Sequence, residues 1–310
     1  MPLPSLTAEE LATQPADWRT AAALAAESSA ALPQRGERVA VVGCGTSWFM
    51  AQAYAALRES GGHGETDAFA ASEFPAGRGY DRVLAITRSG TTTEVLDLLR
   101  QAKAPTTAIT ADTSQPVTAL AGAVVDLGFA DERSVVQTRF ATTALALLRA
   151  HLETEGPLPA GVRTVARAAE DARAAVEDAL PAGLVDCEQF SFLGTGWTAG
   201  LAQEAALKMR EASLSWTEAY PAMEYRHGPI SIAAPGRAVV AFGALPAGLA
   251  AQVGATGALL VAGSGPDGID PMADLVRAQR LALAVAAARG LDPDRPRNLT
   301  RSVVLAPDGA

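Results

Sequence analysis

One pattern occurs twice in the chain, as VVGCGTSWFMAQAYAAL at residues 41–57 and as FLGTGWTAGLAQEAALKM at residues 192–209. Each copy starts with apolar residues, continues through G-x-G, and ends in an Ala-rich segment. This order is typical of a buried parallel strand, a tight glycine turn and a helix. The repeat predicts two α/β domains of similar architecture within the 310 residues.

Short apolar runs alternate with helical segments on either side of both copies. The predicted strands are residues 38–43, 82–87, 106–110 and 124–128 in the first half, and 190–194, 238–243, 258–263 and 301–306 in the second. The main predicted helices are residues 48–59, 93–102, 116–121, 136–153, 196–213 and 274–289. The alternation predicts a doubly wound parallel sheet flanked by helices in each half.

Four segments follow from this pattern. We expect an N-terminal helical segment (1–34), a first α/β domain (35–155), a helical connector (156–182) and a second α/β domain with a C-terminal tail (183–310). Within the first segment, Thr7 and Glu10 have the spacing of a capping box.

Composition and charge exclude several classes of protein. The net charge is −9 and no Lys/Arg run occurs, which disfavours nucleic acid or an anionic membrane as the main partner.

The start of the chain does not resemble a signal peptide. The charge-free stretch 238–266 is interrupted by Pro246, as expected of strand, helix and strand. Only Cys44 and Cys187 are present, with no CxxC, so we expect a cytoplasmic protein without a disulfide. Three histidines are too few to favour a metal site, and we expect no cofactor.

The segment TRSGTTTE (87–94) follows a predicted strand and opens a helix. Its Ser and Thr hydroxyls and free backbone N–H groups suit a phosphate, although a helix-capping turn would have the same composition. GCGTS (43–47) is a second such turn, which presents Thr46 and Ser47 beside the first. It lacks the third glycine and the acidic residue of a dinucleotide site, which argues against an NAD-dependent oxidoreductase.

The helix EAALKMRE places Glu204, Lys208 and Glu211 on one face, at i, i+4 and i+7. An exposed ion-pair ladder would show the same spacing. The loop EYRHGP that follows holds Glu224 and His227, and a His beside Gly-Pro is a candidate acid/base group. A Glu for carbon-acid chemistry and a His for proton transfer at oxygen would suffice for sugar enolisation.

Six motifs together resemble one family. They are CGTS (44–47), SEF (72–74), TRSGTT (87–92), EAALKMREAS (204–213), EYRHGP (224–229) and PRNLTRSV (296–303). The chain resembles the sugar isomerase (SIS) family over about residues 35–306, as two tandem SIS domains, and within it the isomerase half of glucosamine-6-phosphate synthases.

The resemblance implies a role for each matching residue. The 6-phosphate of a sugar would be held by Ser47, Thr87, Ser89 and Thr92, with Arg88 where the synthases have glutamine. Glu211 would move the proton between C1 and C2. His227 would assist ring opening, reaching into the partner's site in a homodimer with interface active sites. Glu204 and Lys208 would line the sugar pocket.

Two departures from the synthases limit the chemistry. About 35 residues precede the first predicted strand, so we expect no glutaminase domain and no ammonia from glutamine. The lysine that forms a Schiff base in the family's PRNL-x-K motif is Arg301 here, and a guanidinium stays protonated and cannot form an imine. Amination of fructose 6-phosphate is therefore not expected.

Proton abstraction at C2 of an open-chain amino-sugar 6-phosphate remains feasible. With a free amine, as in glucosamine 6-phosphate, it gives isomerisation and deamination. With an acetylated amine, as in N-acetylglucosamine 6-phosphate, it can instead expel the C3 hydroxyl, which is the reaction of a dehydratase. A non-catalytic phosphosugar sensor is a third possibility, although a sensor would need neither Glu211 nor His227.

Overall fold

The first half of the chain forms a five-stranded parallel sheet in the computed structural model, which describes residues 5–263 and 268–306. Its strands are β1 (Val39–Gly43), β2 (Thr66–Ala70), β3 (Arg82–Ile86), β4 (Thr106–Thr110) and β5 (Ala123–Asp126). They lie in the order β2-β1-β3-β4-β5. After β1 the chain adds β2 on one side of it and then β3 on the other, so the order of strand addition switches between β1 and β3. The crevice at the carboxyl ends of β1 and β3 is where open α/β sheets bind ligands.

The second half forms a smaller parallel sheet of four strands. They are β6 (Gln189–Gly194), β7 (Trp216–Pro221), β8 (Arg237–Phe242) and β9 (Leu259–Ala262), in the order β7-β6-β8-β9. The repeated strand-turn-helix unit thus lies at the same place in both sheets, as β1 and as β6. The predicted fold class, two tandem α/β domains with doubly wound parallel sheets, is confirmed.

Helices cover both sheets. They are α1 (Leu6–Ala12), α2 (Gln14–Glu27), α3 (Thr46–Ser60), α4 (Thr93–Gln101), α5 (Val117–Leu120), α6 (Arg139–Glu155), α7 (Val165–Glu177), α8 (Thr198–Ser213), α9 (Leu249–Ala255) and α10 (Pro271–Ala288). One apolar cluster extends from β1 to β6 and joins the two halves. The predicted connector contains α7, while the boundaries proposed at 34, 155 and 182 stay predictions. Residues 1–4 of the predicted N-terminal segment lie outside the described residues.

The two halves meet where α3 packs against α8. A Cβ added to Gly200 in α8 would lie 2.5 Å from the carbonyl oxygen of Phe49 and 2.8 Å from the amide nitrogen of Ala53 in α3. These distances are too short for any side chain, so only glycine lets the two backbones come this close. No helix within the described ranges is both long and apolar enough to cross a bilayer.

Two strands were missing from the sequence-based expectation. They are β2 (TDAFA) and β7 (WTEAYP), and each is an edge strand that follows the helix after the first strand of its sheet. Both are only partly buried and carry polar residues, so neither produces the continuous apolar run that marks a central parallel strand.

The strand predicted at residues 301–306 was wrong. This segment has no strand structure, and Val303, Val304 and Leu305 are exposed. It lies instead against the first residue of α4, whose amide (Thr93 N) donates to the carbonyl of Val303 at 3.2 Å. The apolar side chains of the segment are therefore exposed and not buried in the second sheet.

The predicted capping box was also wrong. The N-cap of α1 is Ser5, whose hydroxyl accepts a hydrogen bond from the amide of Ala8 at 3.1 Å. Thr7 binds Asp294, and the carboxylate of Glu10 accepts from the backbone of Arg133 and the hydroxyl of Ser134. Both side chains are committed to long-range contacts that the local spacing does not reveal.

The buried imidazoles of His63 and His151 are expected to oppose folding at acid pH. Burial lowers the pKa of both imidazoles, and the nearby Arg58 lowers it further. At these two sites the unfolded chain therefore takes up protons first as the pH falls below 6.5, their ordinary pKa, and their contribution to the free energy of unfolding decreases there. Each imidazole contributes up to about 1.4 kcal/mol per pH unit.

The measurement is urea unfolding between pH 7.5 and 5. His151→Gln is expected to flatten the dependence relative to the wild type. Ser29→Ala removes the hydroxyl 3.3 Å from Nε2 of His151 without removing a titrating group, and should keep the wild-type slope. Equal slopes for the wild type and His151→Gln would contradict the assignment.

Candidate active site

The turn after β1 is shaped by two glycines. A Cβ on Gly43 would lie 2.7 Å from the backbone of Ser47, and Gly45 has a φ of +55°. The second copy repeats both features, because a Cβ on Gly194 would lie 2.2 Å from the carbonyl oxygen of Thr198 and Gly196 has a φ of +57°. In the first copy the turn delivers Thr46 and Ser47 to the first turn of α3, where both are largely buried.

The loop between β3 and α4 lies beside that turn, because β3 pairs with β1. Thr87 and Ser89 are buried, and the Thr87 hydroxyl has no hydrogen-bond partner within the part of the chain that the structure describes. The hydroxyl of Thr91 donates to that of Ser89 at 3.1 Å, and Thr92 is the N-cap of α4 without a side-chain capping bond. The sequence-predicted hydroxyls thus gather at the carboxyl edge of the first sheet, with unsatisfied capacity suited to an anion.

Arg88 belongs to this loop but its side chain points elsewhere. One guanidinium nitrogen donates to the carbonyl of Ser134 and the other to the carbonyl of Arg301, both at 3.0 Å. The side chain is 3% exposed and lies 3.9 Å from the carboxylate of Glu132. Burial lowers the pKa of the guanidinium, while Glu132 opposes this effect. Arg88 is therefore a buried link between segments.

Helix α8 supplies the charged face predicted from its spacing. The ammonium of Lys208 donates to Oε2 of Glu211 and lies 3.5 Å from Oε1 of Glu204. Lys208 and Glu204 are each 1% exposed at the side chain, whereas Glu211 is 16% exposed. The arrangement is a buried triad with one accessible member, and not the exposed ladder that the spacing alone would also allow.

Burial divides the roles of the two carboxyl groups. Burial raises the pKa of Glu204 to about 8, Lys208 opposes this rise and Glu211 adds to it. Burial would lower the pKa of Lys208, but the carboxylates of Glu204 and Glu211 outweigh it and raise that pKa. At neutral pH, Glu204 is thus mainly protonated and Lys208 is charged.

The close packing of α3 on α8 brings the two halves of the site together. The hydroxyl of Thr46 lies near enough to the Glu204 carboxyl to oppose the rise in its pKa, so the turn after β1 adjoins the charged face of α8. The carboxylate of Glu132, in the loop after β5, also interacts electrostatically with Lys208 and raises its pKa. The site is therefore built at the junction of both halves.

The C-terminal segment completes one wall of the site. Arg301 forms an ion pair with Asp131 at 2.5 Å and donates to the carbonyl of Glu132. The hydroxyl of Ser302 accepts from Thr91 at 3.0 Å, which extends the hydroxyl chain of the loop. The guanidinium of Arg301 is thus held by the 131–132 backbone and side chain.

His227 lies in an exposed turn of the second domain. It follows a short 3₁₀ turn (Glu224–Arg226) beyond β7, and its backbone amide donates to the carbonyl of Glu224 at 2.9 Å. The residue is exposed, and no hydrogen bond or ion pair described within residues 5–263 and 268–306 joins its imidazole to Glu211.

Sequence reasoning missed Glu132 and Ser302. The buried carboxylate of Glu132 accepts from the amides of Thr138, Arg139 and Phe140 and thereby caps α6. An acidic residue shortly before the helix start was the available signal. Ser302 was quoted only within its motif, and nothing local indicated that it would meet Thr91.

Known proteins share both the sequence and this architecture, although no family model matches the chain. The glutamine–fructose-6-phosphate aminotransferase (isomerizing) of Methanothermobacter thermautotrophicus is 32% identical over 308 residues, covering 87% of this chain and 52% of the relative. The glucosamine-6-phosphate deaminase of Thermotoga maritima superposes with a TM-score of 0.80 at 25% identity, over 97% of this chain and 100% of that chain. These matches confirm the resemblance to sugar isomerase (SIS) domains over most of the chain.

Further comparison fixes the extent of the similarity. The C-terminal domain of the Francisella tularensis glucosamine-fructose-6-phosphate aminotransferase shares the fold of these SIS domains, with a TM-score of 0.74 at 22% identity over 93% of this chain and 97% of that one. The chain spans about half the length of the curated relatives it matches. The first of the two SIS-like domains contributes the hydroxyl loop, residues 87–92, and the second contributes the charged face of α8.

Ser89→Ala is expected to weaken binding of a phosphorylated sugar roughly 10- to 100-fold, because one hydrogen bond to an anion is lost. Affinity for the same sugar without phosphate should not change. Isothermal titration calorimetry with glucosamine 6-phosphate and glucosamine measures both. Ser60→Ala, whose hydroxyl binds only carbonyls of its own helix, is the control. Equal phosphosugar affinity in Ser89→Ala and the wild type would refute the hydroxyl loop as the phosphate site.

Proposed function

We propose that the chain is an amino-sugar 6-phosphate isomerase/deaminase that begins catalysis by removing the C2 proton of the open-chain sugar. The observation that carries this proposal is the state of Glu211. One of its carboxylate oxygens is held by the buried ammonium of Lys208, and the group is the accessible member of the triad. A fixed, partly exposed carboxylate is suited to act as a base at carbon.

The reaction proposed for glucosamine 6-phosphate balances without a cofactor. Glu211 takes the C2 proton while the C1 oxygen gains one, which gives an enol carrying the amine at C2. Return of the proton to C1 yields an imine at C2. Water adds to that imine, and ammonia leaves with fructose 6-phosphate as the second product.

The position of Arg301 supports this direction of reaction. The guanidinium cannot form an imine with a sugar and is occupied by Asp131 and the Glu132 carbonyl. Lys208 is buried between two carboxyl groups. The only imine nitrogen that the reaction needs is the amine of the substrate itself, which suits a deaminase and not an aminotransferase.

The comparisons support the same substrate class. The Thermotoga maritima relative is named a glucosamine-6-phosphate deaminase and matches the chain over its whole length. The proposal further includes a homodimer, in which the exposed His227 reaches the site of the partner and assists ring opening. Two free cysteines are in keeping with a cytoplasmic enzyme.

Glu211→Gln is expected to lower the turnover of glucosamine 6-phosphate by roughly 10²–10⁴-fold, because the amide cannot take a proton. Binding of the phosphosugar should persist, since the hydroxyl loop is intact. An ammonia assay and calorimetry give the two readings. Glu177→Gln, on the exposed side of α7, is the control. Turnover near the wild-type rate in Glu211→Gln would show that another group is the base.

The substrate is tested by incubating the protein separately with glucosamine 6-phosphate and N-acetylglucosamine 6-phosphate, followed by mass spectrometry. Ammonia and a hexose phosphate from the first would establish the deaminase. Loss of 18 mass units, one water, from the second would establish a dehydratase. Tight binding of either sugar without turnover would indicate a sensor and refute the enzyme proposal.

A dehydratase is the second candidate, and the state of Glu204 favours it. Elimination of a C3 hydroxyl needs an acid to protonate the leaving oxygen. Burial raises the pKa of Glu204 to about 8, which favours its neutral acid form, and neither of its oxygens has a hydrogen-bond partner among residues 5–263 and 268–306. Glu204 can therefore donate a proton at neutral pH, whereas an ordinary surface Glu is already ionised and cannot.

If Glu204 is that acid, dehydration of N-acetylglucosamine 6-phosphate should decline as the pH rises through about 8, where Glu204 loses its proton. Glu204→Gln should abolish the decline together with most of the activity. The pH profile of kcat, measured by mass spectrometry, tests this. A profile that is flat from pH 7 to 9 would exclude Glu204 as the acid.

A further inference from the structure

The C-terminal strap, residues 300–305, is tied to the hydroxyl loop by a buried arginine. The strap lies along residues 88–93, joined by the Thr91–Ser302 hydroxyl bond and by Thr93, which donates its amide to Val303 and accepts at its hydroxyl from the amide of Leu305. These are contacts between partly exposed groups, open to competition from water. By contrast, the hydrogen bond to the Arg301 carbonyl is donated by the buried, charged guanidinium of Arg88, and charge-assisted bonds are stronger.

The environment of Arg88 holds both terminal nitrogens of its guanidinium on backbone carbonyls. Its two terminal nitrogens donate to Ser134 and Arg301 carbonyls, and Glu132 balances its charge. Glu132 is fixed in turn by the amides at the start of α6, and Ser134 is fixed by Glu10 of α1. A rigid frame therefore holds the guanidinium, which in turn holds the strap.

We propose that Arg88 is a positioning residue that fixes the C-terminal strap over the phosphate-binding loop, so that phosphosugar affinity depends on Arg88 although Arg88 does not contact the phosphate. The strap then acts as a permanent wall of the site. It presents the Ser302 hydroxyl to the chain Thr91–Ser89 and limits the conformations of that chain. The effect on affinity rests on the proposed function, whereas the effect on the strap does not.

Limited trypsin digestion without ligand tests the strap alone. Cleavage after Arg301 releases residues 302–310, which mass spectrometry follows. Arg88→Gln is expected to accelerate this cleavage roughly tenfold, the loss expected for one charged hydrogen bond. Arg88→Lys keeps a charge and should recover part of the protection. Arg100→Gln, an exposed residue of α4, should cleave at the wild-type rate.

Arg82→Gln is a second control, because Arg82 is also a partly buried arginine of the first domain but binds Glu37 far from the strap. If Arg88→Gln fails to fold, Arg301→Gln tests the same strap from its exposed end, since it removes the Asp131 pair, and it should accelerate cleavage after Arg297. Cleavage of Arg88→Gln at the wild-type rate would overturn the proposal. If Arg88→Gln does not fold, cleavage of Arg301→Gln at the wild-type rate would overturn it instead.

Calorimetry with glucosamine 6-phosphate gives the second reading. Arg88→Gln should raise its Kd roughly tenfold, with a kcat within about twofold of the wild type. A higher Kd with unchanged proteolysis would mean that Arg88 acts on the phosphate directly, which also overturns the proposal. If the wild type neither binds nor converts the sugar, the proposed function fails, while the protease result still decides whether Arg88 holds the strap.

Discussion

The site depends on the contact between α3 and α8, where Gly200 lets two helix backbones approach to a distance that no side chain would permit. Helix α3 belongs to the first sheet and α8 to the second. Their contact places the Thr46 hydroxyl beside the Glu204 carboxyl, and with it the hydroxyl loop beside the charged face. Each domain alone holds only one half of this chemistry.

Burial then gives each member of the α8 face its character. Glu204 is buried, and burial raises its pKa because little solvent is present to stabilise the charged form. Lys208 retains its own charge between two carboxyl groups, and Glu211 at the edge is held by it and stays accessible. A periodic Glu-Lys-Glu pattern thus becomes a buried triad with one accessible carboxylate because the helix is placed with its charged face inward.

The central features of this fold could be predicted from sequence because they rest on local patterns. The repeated glycine turns, the central strands β1, β3, β6 and β8, and the shared face of Glu204 and Glu211 all follow from short spacings. The directions of Arg88 and Arg301 could not be predicted, because their partners lie far away in the chain. Glu132 and Ser302 were missed for the same reason: their contacts exist only in the folded chain.

The edge strands β2 and β7 show how protection against self-association is encoded. An exposed edge offers unpaired backbone groups to any other strand, and charged residues or proline discourage such pairing. Strand β7 carries Glu218 and ends at Pro221, and β2 begins with Thr66 and Asp67. The polar residues that hid these strands from a search for apolar runs are the same ones that make each edge a poor template for aggregation.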